Sequence, residues 1–294
     1  MITVTQLSDL HVSPPGFRGY GGLAPDTAES FAAAATHAFD GATRTELAVV
    51  TGDIADHGAA EEYEIAAERL AAIPVPTSIL PGNHDFHAPF HGRLAGASVS
   101  TSRAERHGPW LFLFLDSNAD GRTLDDLGRL VDNDDRIMAS GSLGAAEVAW
   151  ADELIGASDA EHVWLWVHHA PGASGAFDKP DFTAEFEGLV ARHPHIRGIG
   201  AGHTHTNEQP TVASRPVHIC PSLTLNFDVQ EWTTLPPGYR TYSFADDGTV
   251  HSDLHLLDDE RWPRIPLPEP VVQFFKAEIG WDEMQAAVGL DLSH

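Results

Sequence analysis

Three side chains that can bind metal ions or move protons stand next to one another in the segment LPGNHDFH, at residues 80–87. They are Asn83, His84 and Asp85, and they follow an apolar run that ends in Pro-Gly. Carboxylates and imidazoles are common metal ligands, whereas an amide oxygen is a weaker one. A metal site built on Asn83 therefore needs stronger ligands from other parts of the chain.

Side chains of the same types follow four other apolar segments. They are Asp9 and His11, Asp53, the pair His168 and His169, and the pair His203 and His205. Because the carboxyl ends of strands in an α/β sheet meet at one edge, the five segments are predicted to converge on one site. In Asp-x-His and His-x-His, the spacing of two places both side chains on the same side of an extended backbone. Glycine precedes a ligand at Gly52, Gly82 and Gly202, where it would let the backbone turn tightly near an ion.

The combined set offers two carboxylates, an amide oxygen and four or five imidazoles. That is more than one ion needs, and it suits two ions that share a bridging carboxylate. Mixed oxygen and nitrogen ligands favour Fe, Mn or Zn over Ca or Mg. Two such cations holding one water would lower its pKa far below the ~15.7 of bulk water, and the resulting hydroxide could attack phosphorus in line. The pattern therefore predicts a hydrolytic site with two divalent or trivalent metal ions as cofactors.

The elements that must position these residues alternate between strands and helices. Residues 1–85 read as strand, helix, strand, helix, strand, with helices at residues 27–40 and 61–73 and Asp26 as the N-cap of the first. This order predicts a layered α/β architecture with helices on the faces of a sheet. Later strands are expected at residues 110–115, 162–167, 196–200, 217–220, 238–244 and 250–257, and later helices at residues 145–155, 182–192 and 269–288.

No clear linker and no internal repeat divides the chain. We therefore expect one main domain over residues 1–260, with an acidic inserted loop at residues 118–140 that is rich in Gly and Asp. Residues 261–294 would form a C-terminal arm, Pro-rich and then helical, that caps the domain or mediates oligomerisation.

The composition restricts the partners and the compartment. The 294 residues include 17 Lys or Arg and 43 Asp or Glu, which gives a net charge of −26 at pH 7. This charge repels phosphate backbones and anionic membranes, which disfavours nucleic-acid polymers and membranes as partners. The single cysteine, Cys220, excludes an internal disulfide and fits a reducing compartment. With no N-terminus of signal-peptide type and no run of roughly 20 apolar residues, we expect a cytoplasmic protein.

Taken in order along the chain, five motifs resemble those of the calcineurin-like metallophosphoesterase superfamily. They are Asp9-x-His11, Gly52-Asp53, Gly82-Asn83-His84-Asp85, His168 and Gly202-His203-x-His205. The resemblance covers roughly residues 1–210. It implies an α/β fold with four α/β/β/α layers, in which two mixed β-sheets form a sandwich flanked by helices.

The same resemblance implies two sets of metal ligands. One metal would take Asp9, His11 and His205. The other would take Asn83, His168 and His203, and Asp53 would bridge the two ions. His169 is the rival of His168 and is not preferred, because the family's ligand is the first of the pair that follows the strand.

His84 and Asp85 are the candidate catalytic residues. His84 would protonate the leaving alkoxide or stabilise the transition state. Asp85 would orient His84 by accepting a hydrogen bond from its other ring nitrogen, as carboxylates often do for imidazoles.

A narrower resemblance concerns the substrate. The segment HHAP at residues 168–171 is similar to the HHPP of the bacterial class III cyclic-nucleotide phosphodiesterases and glycerophosphodiesterases, with Ala170 in place of the first proline. Residues 235–250 are similar to the C-terminal strands of the cyclic-AMP branch. The resemblance implies hydrolysis of small phosphodiesters, with 3′,5′-cyclic nucleotides as candidates, and a homodimer. A glycerophosphodiesterase, a phosphomonoesterase, a nuclease of the superfamily and a non-catalytic metal-binding scaffold remain alternatives.

Overall fold

The computed structural model describes residues 1–15, 24–40, 44–96, 98–118 and 141–288. Apart from Asn118, the inserted loop expected at residues 118–140 lies outside these ranges. Within them, no helix combines the length and the apolar character needed to cross a membrane.

Fourteen strands lie in the described residues, and their bounds agree closely with the predicted ones where a strand was predicted. In chain order they are β1 (Ile2–Leu7), β2 (Leu47–Thr51), β3 (Thr77–Leu80), β4 (Val99–Ser100), β5 (Ala104–His107), β6 (Trp110–Leu115), β7 (His162–Val167), β8 (Ile196–Ala201), β9 (Thr211–Val212), β10 (Arg215–Ile219), β11 (Asn226–Asp228), β12 (Thr233–Leu235), β13 (Gly238–Phe244) and β14 (Val250–Leu256).

The helices follow the predicted order, with two differences. They are α1 (Thr27–Ala38), α2 (Ala60–Ala71), α3 (His87–Leu94), α4 (Gly144–Ala157), α5 (Pro180–Arg192), α6 (Glu269–Phe275) and α7 (Trp281–Val288). As predicted, Asp26 caps α1, and its carboxylate accepts hydrogen bonds from the backbone N–H groups of Ala28 and Glu29. Helix α3 was not predicted. The single helix expected at residues 269–288 was wrong, because the chain leaves α6 through Ala277, whose φ is 58°, before α7 begins.

Two six-stranded sheets form the centre of the fold. The first has the order β14-β13-β1-β2-β3-β4, and the second has the order β5-β6-β7-β8-β10-β9. Strands β1, β2 and β3 run parallel, as do β6, β7 and β8, while the pairs β1–β13 and β5–β6 are antiparallel. Strands β11 and β12 form a separate hairpin. Both large sheets are therefore mixed.

The buried side chains fall into layers that match this order. One cluster lies between the two sheets and includes Val49 and Leu80 from the first sheet and Phe112, Trp164 and Trp166 from the second. A second cluster joins the outer face of the first sheet to α1, α2 and α3. A third joins the outer face of the second sheet to α4 and α5. The predicted four-layer α/β/β/α sandwich is confirmed.

Candidate metal centre

All five predicted segments lie at the carboxyl ends of parallel strands. Asp9, Asp53 and Asn83 follow the neighbouring strands β1, β2 and β3 of the first sheet. His168 and His203 follow the neighbouring strands β7 and β8 of the second. The site therefore forms where the strand ends of two stacked sheets meet, and not along the edge of one sheet as the sequence analysis assumed.

The backbone is left-handed at five of the seven candidate ligands, and this conformation is uncommon for residues other than glycine. The positive φ values are 52° at Asp9, 40° at His11, 48° at Asp53, 74° at His203 and 53° at His205. Hydrogen bonds between the loops hold two of these turns: the N–H of Asp9 donates to the carbonyl of Gly52, and the N–H of His11 donates to the carbonyl of Asp53. Such conformations cost about 1–3 kcal/mol each and cluster at functional sites.

Glycine is needed here because the loops approach one another closely. A Cβ atom at Gly82 would lie 2.1 Å from Oδ1 of Asp53, and one at Gly202 would lie 2.0 Å from Oγ of Ser8. These glycines make room for the side chains and backbone of the neighbouring strand end.

One group of ligand atoms comes from Asp9, His11 and His205, which lie within 4.8 Å of one another. Nε2 of His205 is 3.3 Å from Oδ1 of Asp9 and 3.2 Å from Nε2 of His11. All three residues are at most 4% exposed.

A second group surrounds His168, which is fully buried. Its Nε2 lies 3.0 Å from Oδ1 of Asn83 and 3.2 Å from Oδ2 of Asp53. The same Asp53 oxygen is 3.7 Å from Nε2 of His11. Asp53 thus lies between the two groups.

The remaining histidines of the set sit at the edge of this group. The ring of His203 is 5.1 Å from that of His168 and 4.3 Å from that of His169. Nδ1 of His169 lies 2.7 Å from Oγ of Ser117. His168, His169 and His203 form a further group of ligand atoms, and His168 also shares a group with Asp9 and Asp53.

The hydrogen bonds of the imidazoles show that the site suits cations. Nδ1 of His168 lies 2.8 Å from the carbonyl oxygen of Thr51, and Nδ1 of His205 lies 2.7 Å from that of Leu225. A carbonyl can only accept, so each Nδ1 carries the proton and each Nε2 lone pair is directed at carboxylate, amide or imidazole acceptors. A cation between these atoms would offset the contacts between their lone pairs, and the mixed oxygen and nitrogen donors fit a transition metal.

The pKa values reflect the same arrangement. Burial would raise the pKa of Asp53, but the charges of His168, His84 and His11 lower it well below its ordinary value. Burial would lower the pKa of His168, but the carboxylate of Asp53 raises it to about 9. In the metal-free site a proton therefore occupies His168, on an atom that a metal ion would otherwise use.

His84 faces this site from the side of Asp53. A nitrogen of its ring lies within 4.8 Å of the ligand atoms of His11 and Asp53. Nδ1 of His84 is 2.5 Å from the carbonyl oxygen of Asp56 and donates to it. This bond leaves Nε2 available toward the site. Burial lowers the pKa of His84.

The predicted hydrogen bond from His84 to Asp85 is wrong. The carboxylate of Asp85 is fully buried and accepts from the N–H groups of Ile54, Ala55 and Gly82 at 2.9–3.1 Å and from the hydroxyl of Tyr63 at 3.2 Å. Consecutive side chains point in different directions at this turn, so Asp85 holds the loops of β2 and β3 together. Burial, with the charge of Asp53, raises its pKa to about 6.

Asp56 is a site residue that the sequence analysis missed. Its Oδ1 lies 3.0 Å from Nδ1 of His11, and its carbonyl oxygen accepts from His84. Asp56 therefore orients two imidazoles at once. The available signal was the segment DIAD, which places Asp56 three residues after Asp53.

The four-layer fold and the buried cluster of Asp, Asn and His define a phosphoesterase of the metal-dependent type. Residues 2–207 match the family model described as calcineurin-like phosphoesterase, and the chain belongs to this family. Among solved structures, it is similar to a dimetal phosphatase from Danio rerio, with a TM-score of 0.61 and 16% identity over 88% of this chain and 93% of that one. That likeness concerns the fold alone.

Two curated relatives represent the two phosphodiesterase branches. The 3′,5′-cyclic adenosine monophosphate phosphodiesterase CpdA of Escherichia coli K12 is 26% identical over 270 residues, which cover 89% of this chain and 92% of the relative. The probable glycerophosphodiester phosphodiesterase GpdQ of Arcobacter nitrofigilis is 24% identical over 210 residues, which cover 69% of this chain and 71% of the relative.

Proposed function

We propose that the chain is a dinuclear metal-dependent phosphodiesterase that hydrolyses small phosphodiesters, with 3′,5′-cyclic nucleotides such as cyclic AMP as the leading substrates. The observation that carries the proposal is the position of Asp53. Its Oδ2 lies 3.2 Å from Nε2 of His168 and 3.7 Å from Nε2 of His11, between two groups of buried ligand atoms. The match to CpdA over most of both chains supports the cyclic-nucleotide assignment.

The ligand sets are those that the resemblance implies, and the groups of ligand atoms around Asp9 and around His168 support them. One ion would be held by Asp9, His11 and His205. The other would be held by Asn83, His168 and His203, and Asp53 would bridge them. Asn83 supplies a neutral oxygen, so its ion would keep more positive charge. Fe, Mn and Zn all suit these donors.

Bound at these positions, two cations would neutralise phosphate oxygens and lower the pKa of a water. The residues of the chain orient the reacting groups. The Nδ1–H of His84 is fixed on the carbonyl of Asp56, so its Nε2 can hold a proton toward the leaving oxygen. Burial lowers the pKa of His84, and an anionic substrate beside it would favour the protonated form. Asp85 positions the loop that carries Asn83 and His84.

Glycerophosphodiester hydrolysis is the second candidate, and the match to the GpdQ relative supports it. Both reactions break one ester bond of a phosphodiester and need the same metal centre. The residues around the metal centre determine which of the two substrates is hydrolysed. A cytoplasmic location, a homodimer and the division into residues 1–260 and 261–294 stay predictions.

The experiment is a parallel assay of the Mn²⁺-loaded protein on bis(p-nitrophenyl) phosphate, p-nitrophenyl phosphate, cyclic AMP and a glycerophosphodiester, with Asn83→Ala beside the unaltered chain. The proposal expects diester turnover, including cyclic AMP, that falls by at least ~100-fold in the variant. Turnover of the glycerophosphodiester alone would select the second candidate. Turnover of the monoester alone, or of none of the four substrates, would overturn the proposal.

A further inference from the structure

Three phenylalanines connect the two metal-site histidines that follow β8. The ring of Phe177 lies 5.4 Å from that of His203, and the ring of Phe227 stacks on that of His205 at 6.5 Å with an angle of 22°. Phe275 lies between them, 5.9 Å from Phe177 and 4.9 Å from Phe227. We call Phe177, Phe227 and Phe275 the aromatic arch.

The arch is assembled from segments far apart in the chain. Phe177 ends a short 3-10 turn at Gly175–Phe177, Phe227 lies in β11, and Phe275 ends α6 in the C-terminal arm. The N–H of Phe227 donates to the carbonyl of His205 at 2.8 Å, which fixes β11 against the loop that carries His205. Through the arch, the arm is therefore in contact with residues that pack on His203 and His205 of the metal centre.

The arm is attached to the β11–β12 hairpin by several contacts. The N–H of Leu267 donates to the carbonyl of Trp232, and the N–H of Thr234 donates to the carbonyl of Ile265, both at 2.8 Å. The ammonium of Lys276 lies 5.1 Å from the ring of Trp232. These contacts hold the end of α6, and with it Phe275, in place.

The arm also approaches Gly175 closely. This residue has a φ of 63°, and a Cβ atom there would lie 2.0 Å from the carbonyl oxygen of Phe275. The backbone of the arm thus rests directly on the turn that presents Phe177. A side chain at position 175 would force the two apart.

The rings differ in exposure. Phe275 is 9% exposed, whereas Phe177 and Phe227 are half-buried and lie beside His203 and His205. The chemistry of the phosphate needs metal ligands and a proton donor, not aromatic rings. A phosphodiester also carries two organic groups, and a flat aromatic group gains favourable stacking on such rings.

We propose that the aromatic arch is a subsite for an aromatic group of the phosphodiester, as in a nucleotide, and that the C-terminal arm sets this preference by holding the arch in place. The inference rests on the proposed function and narrows it to diesters whose uncleaved ester bond carries a planar ring.

The test uses two substrates that release the same p-nitrophenolate. Bis(p-nitrophenyl) phosphate keeps an aromatic group after cleavage, and methyl p-nitrophenyl phosphate keeps a methyl group. The variants of the full-length, Mn²⁺-loaded protein are Phe177→Leu and Gly175→Ala. Gly108→Ala is the matched control, because Gly108 has a φ of 59° but no atom within 4 Å of its Cβ position.

We expect Phe177→Leu and Gly175→Ala to lower kcat/KM for the diaryl ester by about tenfold, mainly through KM. For the methyl ester we expect less than about a threefold change, with equal metal content. Gly108→Ala should leave kcat/KM unchanged for both esters. Equal losses on both esters would make the arch a purely structural contact and would overturn the proposal.

A binding measurement separates this inference from the proposed function. Calorimetry compares 5′-AMP with ribose 5-phosphate on the Mn²⁺-loaded protein. Tighter binding of 5′-AMP that is lost in Phe177→Leu would support the subsite even if no diester were turned over. Equal binding of the two compounds by an active enzyme would refute the subsite and leave the phosphodiesterase proposal intact.

Discussion

The carboxylate of Asp56 lies 3.0 Å from Nδ1 of His11, and this contact directs Nε2 of the imidazole toward the metal centre. Asp56 is also held by Ser13, whose hydroxyl donates to its second oxygen at 3.2 Å. A carboxylate that accepts from a metal-binding imidazole fixes the tautomer and makes the ring a stronger ligand. The metal affinity of the proposed site would thus depend on a residue that is not itself a proposed ligand.

Replacing Asp56 by Asn should weaken metal binding by roughly 10- to 100-fold, because the amide can still accept from His11 but carries no charge. Competition with a fluorescent chelator measures this loss. The matched control is Asp159→Asn, whose side chain is 98% exposed. An affinity equal to that of the control would show that Asp56 does not support His11.

Replacing Asp85 by Asn should lower the free energy of unfolding by about 3 kcal/mol in the metal-free protein. Each carboxylate oxygen accepts from two donors, so either orientation of the amide directs an NH₂ group at two of them. Urea denaturation gives the value. Tyr63→Phe removes one of the four donors and should cost about 1 kcal/mol. Unchanged stability in Asp85→Asn would contradict the role of Asp85 in joining the loops.

Gly82→Ala should abolish binding of at least one metal ion. The new methyl group would overlap Oδ1 and the backbone nitrogen of Asp53, at 2.1 Å and 2.3 Å, and would displace the carboxylate that is proposed to bridge the ions. Gly92→Ala is the control, since its Cβ position in α3 meets no atom within 4 Å. Metal per chain, measured by atomic emission, should fall in the first variant and not in the second. Full occupancy in Gly82→Ala would be incompatible with a bridging Asp53 in this position.

Metal binding should release protons near neutral pH. Burial would lower the pKa of His11, but Asp56 and Asp53 raise it to about 9, and Asp53 raises that of His168 to about 9. Both imidazoles are thus protonated below that pH, and a metal at Nε2 must displace the protons. The apparent affinity should therefore rise with pH up to about 9 and then level off.

Calorimetric titration with Mn²⁺ in buffers of different ionisation enthalpy measures the released protons directly. Near pH 7.5 we expect about one to two protons per chain. Heats that do not depend on the buffer would show that the imidazoles are already neutral in the metal-free site.

Local patterns were sufficient to predict most of the strands and the first helices. The bounds of β6, β7 and β13 match because each is a short apolar or alternating run with turn residues on both sides. The pattern of apolar residues was insufficient where tertiary packing determines the secondary structure. Helix α3 contains Pro89 in its first turn, which obscures a helical pattern, and β4 is only two residues long.

In the candidate site, too, the sequence predicted some features and could not predict others. Types and spacing of side chains identified the positions that converge at the strand ends. They could not show the direction of a side chain within a tight turn, so Asp85 was paired with its neighbour His84 and not with Tyr63. The roles of Asp56 and of Phe275 were also hidden, because they depend on contacts between distant parts of the chain.

The central claim is that Asp53 joins two metal ions, and electron paramagnetic resonance of the Mn²⁺-loaded protein tests it most directly. We expect two ions per chain whose spins couple through the shared carboxylate, at the short separation typical of two-metal sites. In Asp53→Asn the coupling should disappear. A single ion per chain, or two ions without coupling in the unaltered protein, would contradict the account.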